Sequence, residues 1–225
     1  GKVKDDKAEF ANHVRTGMLL SLGVYAVLSA VVLVFAVPML KLMAADASIL
    51  EASAAYIRIE SIANIFSILA QFALVALVSV NKSKYLYALT GARLVLCLLS
   101  DTVLGSGLPV SANLGVNGIG YSNILVNALL LAVSLVLLGK EGIHLFAKEK
   151  PRFSWVKEFV KVGGISGVES LVRNAAYMVM IARMVNVVGE QGTYWAANNF
   201  IWGWLLLPVL QLGELITQEV AADKK

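Results

Sequence analysis

The strongest constraint on this chain is a series of long stretches with no charged side chain. There is none from Thr16 to Leu40, and the same holds from Ser61 to Asn81, Thr102 to Gly139 and Gln191 to Gly213. A helix of about 20 mainly apolar residues crosses a hydrocarbon layer roughly 30 Å thick. A soluble fold would have to hide all these runs in one core, with too few polar faces to cover it. Composition agrees: 58% of residues are hydrophobic and 15% charged, whereas soluble domains sit near ~45–50% and ~25%. The expected fold class is all-α, a polytopic membrane helical bundle of about six transmembrane helices. Hydropathy predicts helices over 16–43, 57–81, 85–105, 115–139, 159–188 and 193–217, with charges inside the third and fifth.

Loop charge supplies an orientation. Lys2, Lys4, Lys7 and Arg15 precede the first helix, and Lys82 and Lys84 separate the second from the third. Lys140, Lys148, Lys150, Arg152 and Lys157 lie around the fourth-to-fifth connection, and Lys224 and Lys225 end the chain. The alternate connections are poor in basic residues, with Arg58 the main exception. Lys and Arg concentrate in cytoplasmic loops, so both termini are expected on the cytoplasmic face of a cell membrane. The longest polar connection, Lys140 to Glu158, is centred on Pro151. It is the expected boundary between one bundle over 1–150 (four helices) and the start of a second over 151–225 (two helices). Phe153 and Trp155 beside basic residues suit a helix lying along the interface, and a plain solvated linker fits equally well.

Several functions are disfavoured. The formal net charge of +4 comes from basic loops, and the aromatics lie in apolar segments, so no nucleic-acid surface is expected. A single cysteine, Cys97, forms no internal disulfide or cysteine-based zinc site. His13 and His144 are far apart in polar connections. No His-Glu metal motif or Ser-His pairing is present. The Gly-rich stretch 115–120 follows no strand, so an enzyme is not expected.

Ionisable groups inside a membrane are costly and usually face the protein interior or a water-filled cavity. Arg93, Cys97 and Asp101 fall on one face of the third helix, at i, i+4 and i+8. Arg93 suits snorkelling toward the basic loops. Asp101 reads either as an exposed helix-end carboxylate or as the acidic lining of a cation pocket. On the fifth helix, Glu169 and Arg173 are spaced for an intrahelical pair, with Asn174 adjacent and Tyr177 one turn on. Asn64 and Gln71 share a face of the second helix, Asn123 and Asn127 a face of the fourth, and Asn198 and Asn199 open the sixth. Interhelical hydrogen bonding is the default role for such groups, and a polar-lined cavity is the sharper one. Trp202, one turn or two beyond the interface, is a further cavity candidate. Gly163, Gly164, Gly167 and Pro208 mark places where a transporter helix would break or bend.

Three stretches then resemble a known family. YIRIESIANIF from Tyr56, LLSDTVL…LGVNGIGYSN from Leu98 to Asn123, and VKVGGISGVESLVRNAAYMVMIARMV from Val160 to Val185 are similar to helices four, five to six, and seven of the multidrug and toxic compound extrusion (MATE) family. NFIWGWLLLPVLQLGELITQEV would follow as the eighth. Members have twelve helices in two six-helix lobes around a central cavity, so this chain would match helices three to eight. The polar runs at both ends, with no initiating methionine, fit a piece of a longer protein.

The resemblance implies cation-coupled (Na+ or H+) antiport that exports drugs or other small organic cations, with no cofactor beyond the coupling ion. Asp101 matches the fifth-helix aspartate of the family's N-lobe cation site, Cys97 stands where an asparagine is usual, and Asn123 aligns with the sixth-helix threonine. Asn64, Gln71, Glu169, Arg173, Tyr177 and Trp202 are the substrate-cavity candidates. The expected partners are the lipid bilayer and either the remaining helices of a parent protein or a second copy. Two competitors remain: a lipid-linked precursor or polysaccharide flippase of the same superfamily, favoured if Arg93, Arg173 and Arg183 converge on one cavity, and a non-transporting membrane scaffold or truncated product.

Overall fold

The structure, a computed structural model, describes residues 2–42, 47–80, 83–145, 151–185, 197–201, 205–206, 208–209 and 212. These contain five long helices: α1 (Lys2–Leu42), α2 (Leu50–Ser79), α3 (Ser83–Gly105), α4 (Val116–Lys140) and α5 (Val156–Val185). Among the described residues, α1 to α4 are long and apolar enough to cross a membrane. The protein is a multi-pass helical membrane protein. In α5 the apolar run is diluted by Glu169, Arg173 and Asn174, and this helix is not among the four. The expected sixth helix lies largely outside the described residues.

Two helices begin well before their apolar runs. The charged arm expected ahead of residue 16 is the first part of α1, and α2 starts at Leu50 rather than 57. The added segments are rich in Ala, Lys and Glu, which lose little side-chain freedom in a helix; hydropathy registers only the part in lipid. One consequence is a correction: Arg58 is no loop residue but lies within α2, where its Nε donates to the Leu33 carbonyl of α1 at 3.0 Å. Nor do glycines interrupt α5, which runs as helix through Gly163, Gly164 and Gly167.

Residues 1–164 and 165–225 form two compact units. In the first, α2 is central and packs against α1, α3 and α4, while α4 also packs against α3. The larger core cluster joins Val14, Ala70, Ala73, Leu77, Val126, Leu130, Leu138 and Ile143. A smaller one joins Ala36, Leu40 and Ala54 near the α1–α2 connection. Most large apolar side chains outside these clusters, such as Val24, Val27, Val34 and Phe35 on α1, are exposed. That suits surfaces that meet acyl chains rather than water.

The end of α4 is closed tightly. Ile143 N donates to Leu138 O at 3.0 Å and Gly142 N to Gly139 O at 3.1 Å, around Gly142 at φ +83°. This is a Schellman cap, in which glycine supplies the left-handed conformation and the residue after it packs back on the last turn. Leu138 and Ile143 are both buried in the larger cluster. Lys7 Nζ donates to Glu141 O at 3.1 Å, adding a cation where the helix dipole is negative.

The described part of the connection after α4 is no interfacial helix. Residues 151–155 are irregular and dock on α1. Asn12 Nδ2 donates to Arg152 O at 3.3 Å, and Arg152 N donates back to Asn12 Oδ1 at 3.1 Å. Trp155 Nε1 donates to the buried Thr16 Oγ1 at 2.9 Å, and its ring meets that of His13 edge-on.

Candidate functional site

At the opposite end of this unit, where α2 begins and α3 ends, polar side chains collect between apolar helices. Tyr56 and Glu60 are one turn apart on α2, Cys97 and Asp101 one turn apart on α3, and Asn117 and Asn123 lie on the first turns of α4. The antiparallel order of α2, α3 and α4 brings these positions to one end although they are 37 to 67 residues apart in the chain between α2 and the other two helices.

Close packing makes the contact possible. A Cβ added at Gly120 would meet Ile59 Cγ2 at 2.8 Å and Tyr56 Cδ2 at 3.8 Å. No larger residue fits there without displacing α2, which is how small residues let membrane helices approach. One turn on, Asn123 Nδ2 donates to both Glu60 carboxylate oxygens, at 3.2 and 3.1 Å. This bond spans α2 and α4 and leaves Asn123 Oδ1 as an acceptor. Ser100 and Ser122 hydroxyls bond each other between α3 and α4.

Asp101 is the exception to this pairing. Its Oδ1 is buried and has no hydrogen-bond partner among the described residues, and Asn117 Oδ1 is in the same condition. The Tyr56 hydroxyl is within electrostatic reach of both Glu60 and Asp101. Neither carboxylate has an ion-pair partner among the described residues. A buried, unpartnered carboxylate oxygen in an apolar bundle is costly, and hard cations bind to oxygen sets of this type, built from carboxylates and amide carbonyls.

The other expected site residues are dispersed. Cys97 is a free, half-buried thiol packed against the larger apolar cluster, one turn from Asp101. Asn64 and Gln71 are exposed on α2, and Arg93 is exposed on α3. In the second unit, Glu169 Oε1 and Arg173 Nη1 form the i, i+4 pair at 3.9 Å, with both side chains largely exposed. Asn198 Nδ2 donates to the Tyr177 hydroxyl at 3.4 Å. Trp202 lies outside the described residues. Glu60 and Tyr56 were not among the sequence candidates. The signal for Glu60 was present, since it is an acidic residue immediately before the charge-free run of the second helix.

Four apolar helices of spanning length, with partnerless polar oxygens between them among the described residues, define a class, the multi-pass helical membrane proteins. Residues 4–103 match the MatE family model, a stretch that takes in nearly all of α1 to α3 and includes Glu60 and Asp101. Over that stretch, a little under half of the chain, the sequence is similar to the MATE family, whose members are membrane transporters. No curated protein and no solved structure matches the chain.

Proposed function

We propose that the protein acts in cation-coupled antiport, exporting drugs or other small organic cations against an inward flow of Na+ or H+ across the cell membrane, with both termini of this chain on the cytoplasmic face. Asp101 is the ion-binding group, with Asn123 contributing an amide oxygen and Cys97 lining the site one turn away. The observation that carries the reading is the buried Asp101 Oδ1 without a partner, inside the stretch that matches MatE.

Coupling follows from competition between states. A carboxylate that holds a cation is neutralised and tolerates a closed apolar surround, whereas the free carboxylate favours an arrangement open to water. A cation shifts such an equilibrium only by its difference in affinity for the two states. Ion entry from one side and substrate release to that side are then linked.

The test is ethidium efflux from everted vesicles, with Na+ and proton gradients imposed separately. Vesicles carrying the protein should pump under at least one gradient, and Asp101→Asn should stop ion-driven pumping. Undiminished efflux in that variant overturns the reading.

A further inference from the structure

The sequence pattern directs attention to Asp101, yet the structure puts a second carboxylate at the same end of the bundle. Glu60 comes from a different helix and reaches the same end of the bundle. It is gripped by the Asn123 amide through both its oxygens. Asp101 is held by nothing comparable: its Oδ1 is buried and unpartnered, as is Asn117 Oδ1 on the helix that carries Asn123. The other charged side chain on this turn of α2, Arg58, is turned to the Leu33 carbonyl of α1.

Two carboxylates at one end of an apolar bundle, with no ion-pair partner among the described residues, offer a cation the oxygens and the charge that suit it. A bound cation would also complete the oxygens that the protein leaves without partners. The amide of Asn123 plays a different part. By donating to both oxygens of Glu60 it fixes them in one place.

Resting on the reading of Asp101 as the ion-binding group, we infer that Glu60 is the second carboxylate of the site, and that Glu60 and Asp101 together take up one monovalent cation, Na+ or a proton. Asn123 is a positioning residue, which holds Glu60 toward α4. The site is therefore shared by α2, α3 and α4, and ion uptake draws the three helices together. Loss of the ion leaves two like charges at one end of the bundle, which favours their separation. Glu60 thus makes the packing of α2 against α3 and α4 depend on the ion.

The experiment is a thermal-unfolding titration of the full chain in detergent, with NaCl against choline chloride at constant ionic strength and alkaline pH, and a second arm that lowers the pH in choline. Ligands that bind the folded state raise its unfolding temperature by mass action. The wild-type protein should be stabilised in one arm, and which arm identifies the ion. Asp101→Asn should abolish that response. Glu60→Gln keeps an oxygen for Asn123 but removes the charge, and should weaken apparent ion affinity by about tenfold or more. Glu60→Asp, which restores the charge, should recover most of it.

If Asp101→Asn abolishes the response and Glu60→Gln leaves it unchanged, the inference about Glu60 is wrong and the Asp101 reading stands. A wild-type chain indifferent to both ions sinks the two together. Should the Glu60 variants not fold, carbodiimide labelling of the wild-type chain, read by mass spectrometry, decides the matter. Labelling at Glu60 should fall as the ion identified above is raised (for a proton, as the same residue is protected by a saturating dye cation), and labelling that ignores the ligand overturns the inference.

Discussion

The two ends of the first unit are built on opposite principles. At the end where α4 stops, polar groups pair with one another and close over a large apolar cluster. Asn12 and Arg152 exchange two hydrogen bonds, Trp155 donates to Thr16, Lys7 to the Glu141 carbonyl, and Tyr85 to the Glu141 carboxylate at 3.5 Å. At the other end the apolar cluster is small, and buried oxygens of Asp101 and Asn117 have no partner. The first arrangement spends its polar groups on fixing the helices. The second keeps them available, as a site for a transient ligand requires. A transporter needs both, since a site that must change occupancy has to be anchored to something that does not move.

The largest expected effect lies in the anchored end. Leu77 is fully buried in the larger cluster, against residues of α1, α3 and α4. Leu77→Ala removes packing that lipid cannot replace inside the bundle, and should cost about 2–5 kcal/mol. Loss of helical circular dichroism on titration with a denaturing detergent measures it. A cost below that of Leu40→Ala, in the smaller cluster, would erase the contrast between the two ends.

A smaller effect is expected where the irregular strap meets α1. Asn12→Ala deletes both bonds to Arg152 but leaves the Trp155–Thr16 bond and the ring contact with His13. A loss of about 1–2 kcal/mol follows from two partly exposed hydrogen bonds. Hydrogen exchange of the Arg152 amide sharpens the test, because that amide loses its acceptor in the variant. Exchange that is fast in the wild type as well would show that the strap does not hold this end together.

How far the sequence foretold this structure differs between the same two regions. Spans α3 and α4 were legible to within about two residues, because mainly apolar runs of that length, with Arg93 and Asp101 the charges inside 85–105 and none inside 115–139, have one stable outcome in lipid. The starts of α1 and α2 were not, because hydropathy sees the membrane and helix propensity continues past it. Asp101 was legible as a polar residue in an apolar helix; Asn123, which the resemblance to MATE proteins set beside Asp101, bonds Glu60 in the structure. Glu60 escaped because it lies in the first turn of the expected helix 57–81, ahead of the charge-free run, where an acid reads as a helix-end charge. Its bond to Asn123 joins positions 63 apart, a contact set by the antiparallel packing of α2 and α4 and by the missing side chain at Gly120. The docking of Trp155 on Thr16 was equally hidden, since aromatic and basic residues together suggest an interface without saying which helix lies beneath.

The smallest effect expected on stability is also the one most at odds with ordinary experience of buried acids. Replacing a buried, paired carboxylate usually strands its partner and costs several kcal/mol. Asp101 Oδ1 has no partner to strand, so Asp101→Asn removes a charge from an apolar bundle without breaking a hydrogen bond made by that oxygen. In ion-free buffer its unfolding temperature should equal or exceed that of the wild type, while efflux is lost. The two proteins should converge when the wild type is saturated with its ion, because the bound cation does for Asp101 what the substitution does by removing charge. A clear loss of stability in ion-free buffer would mean that Asp101 is anchored after all, and that the polar end is built to hold like the other.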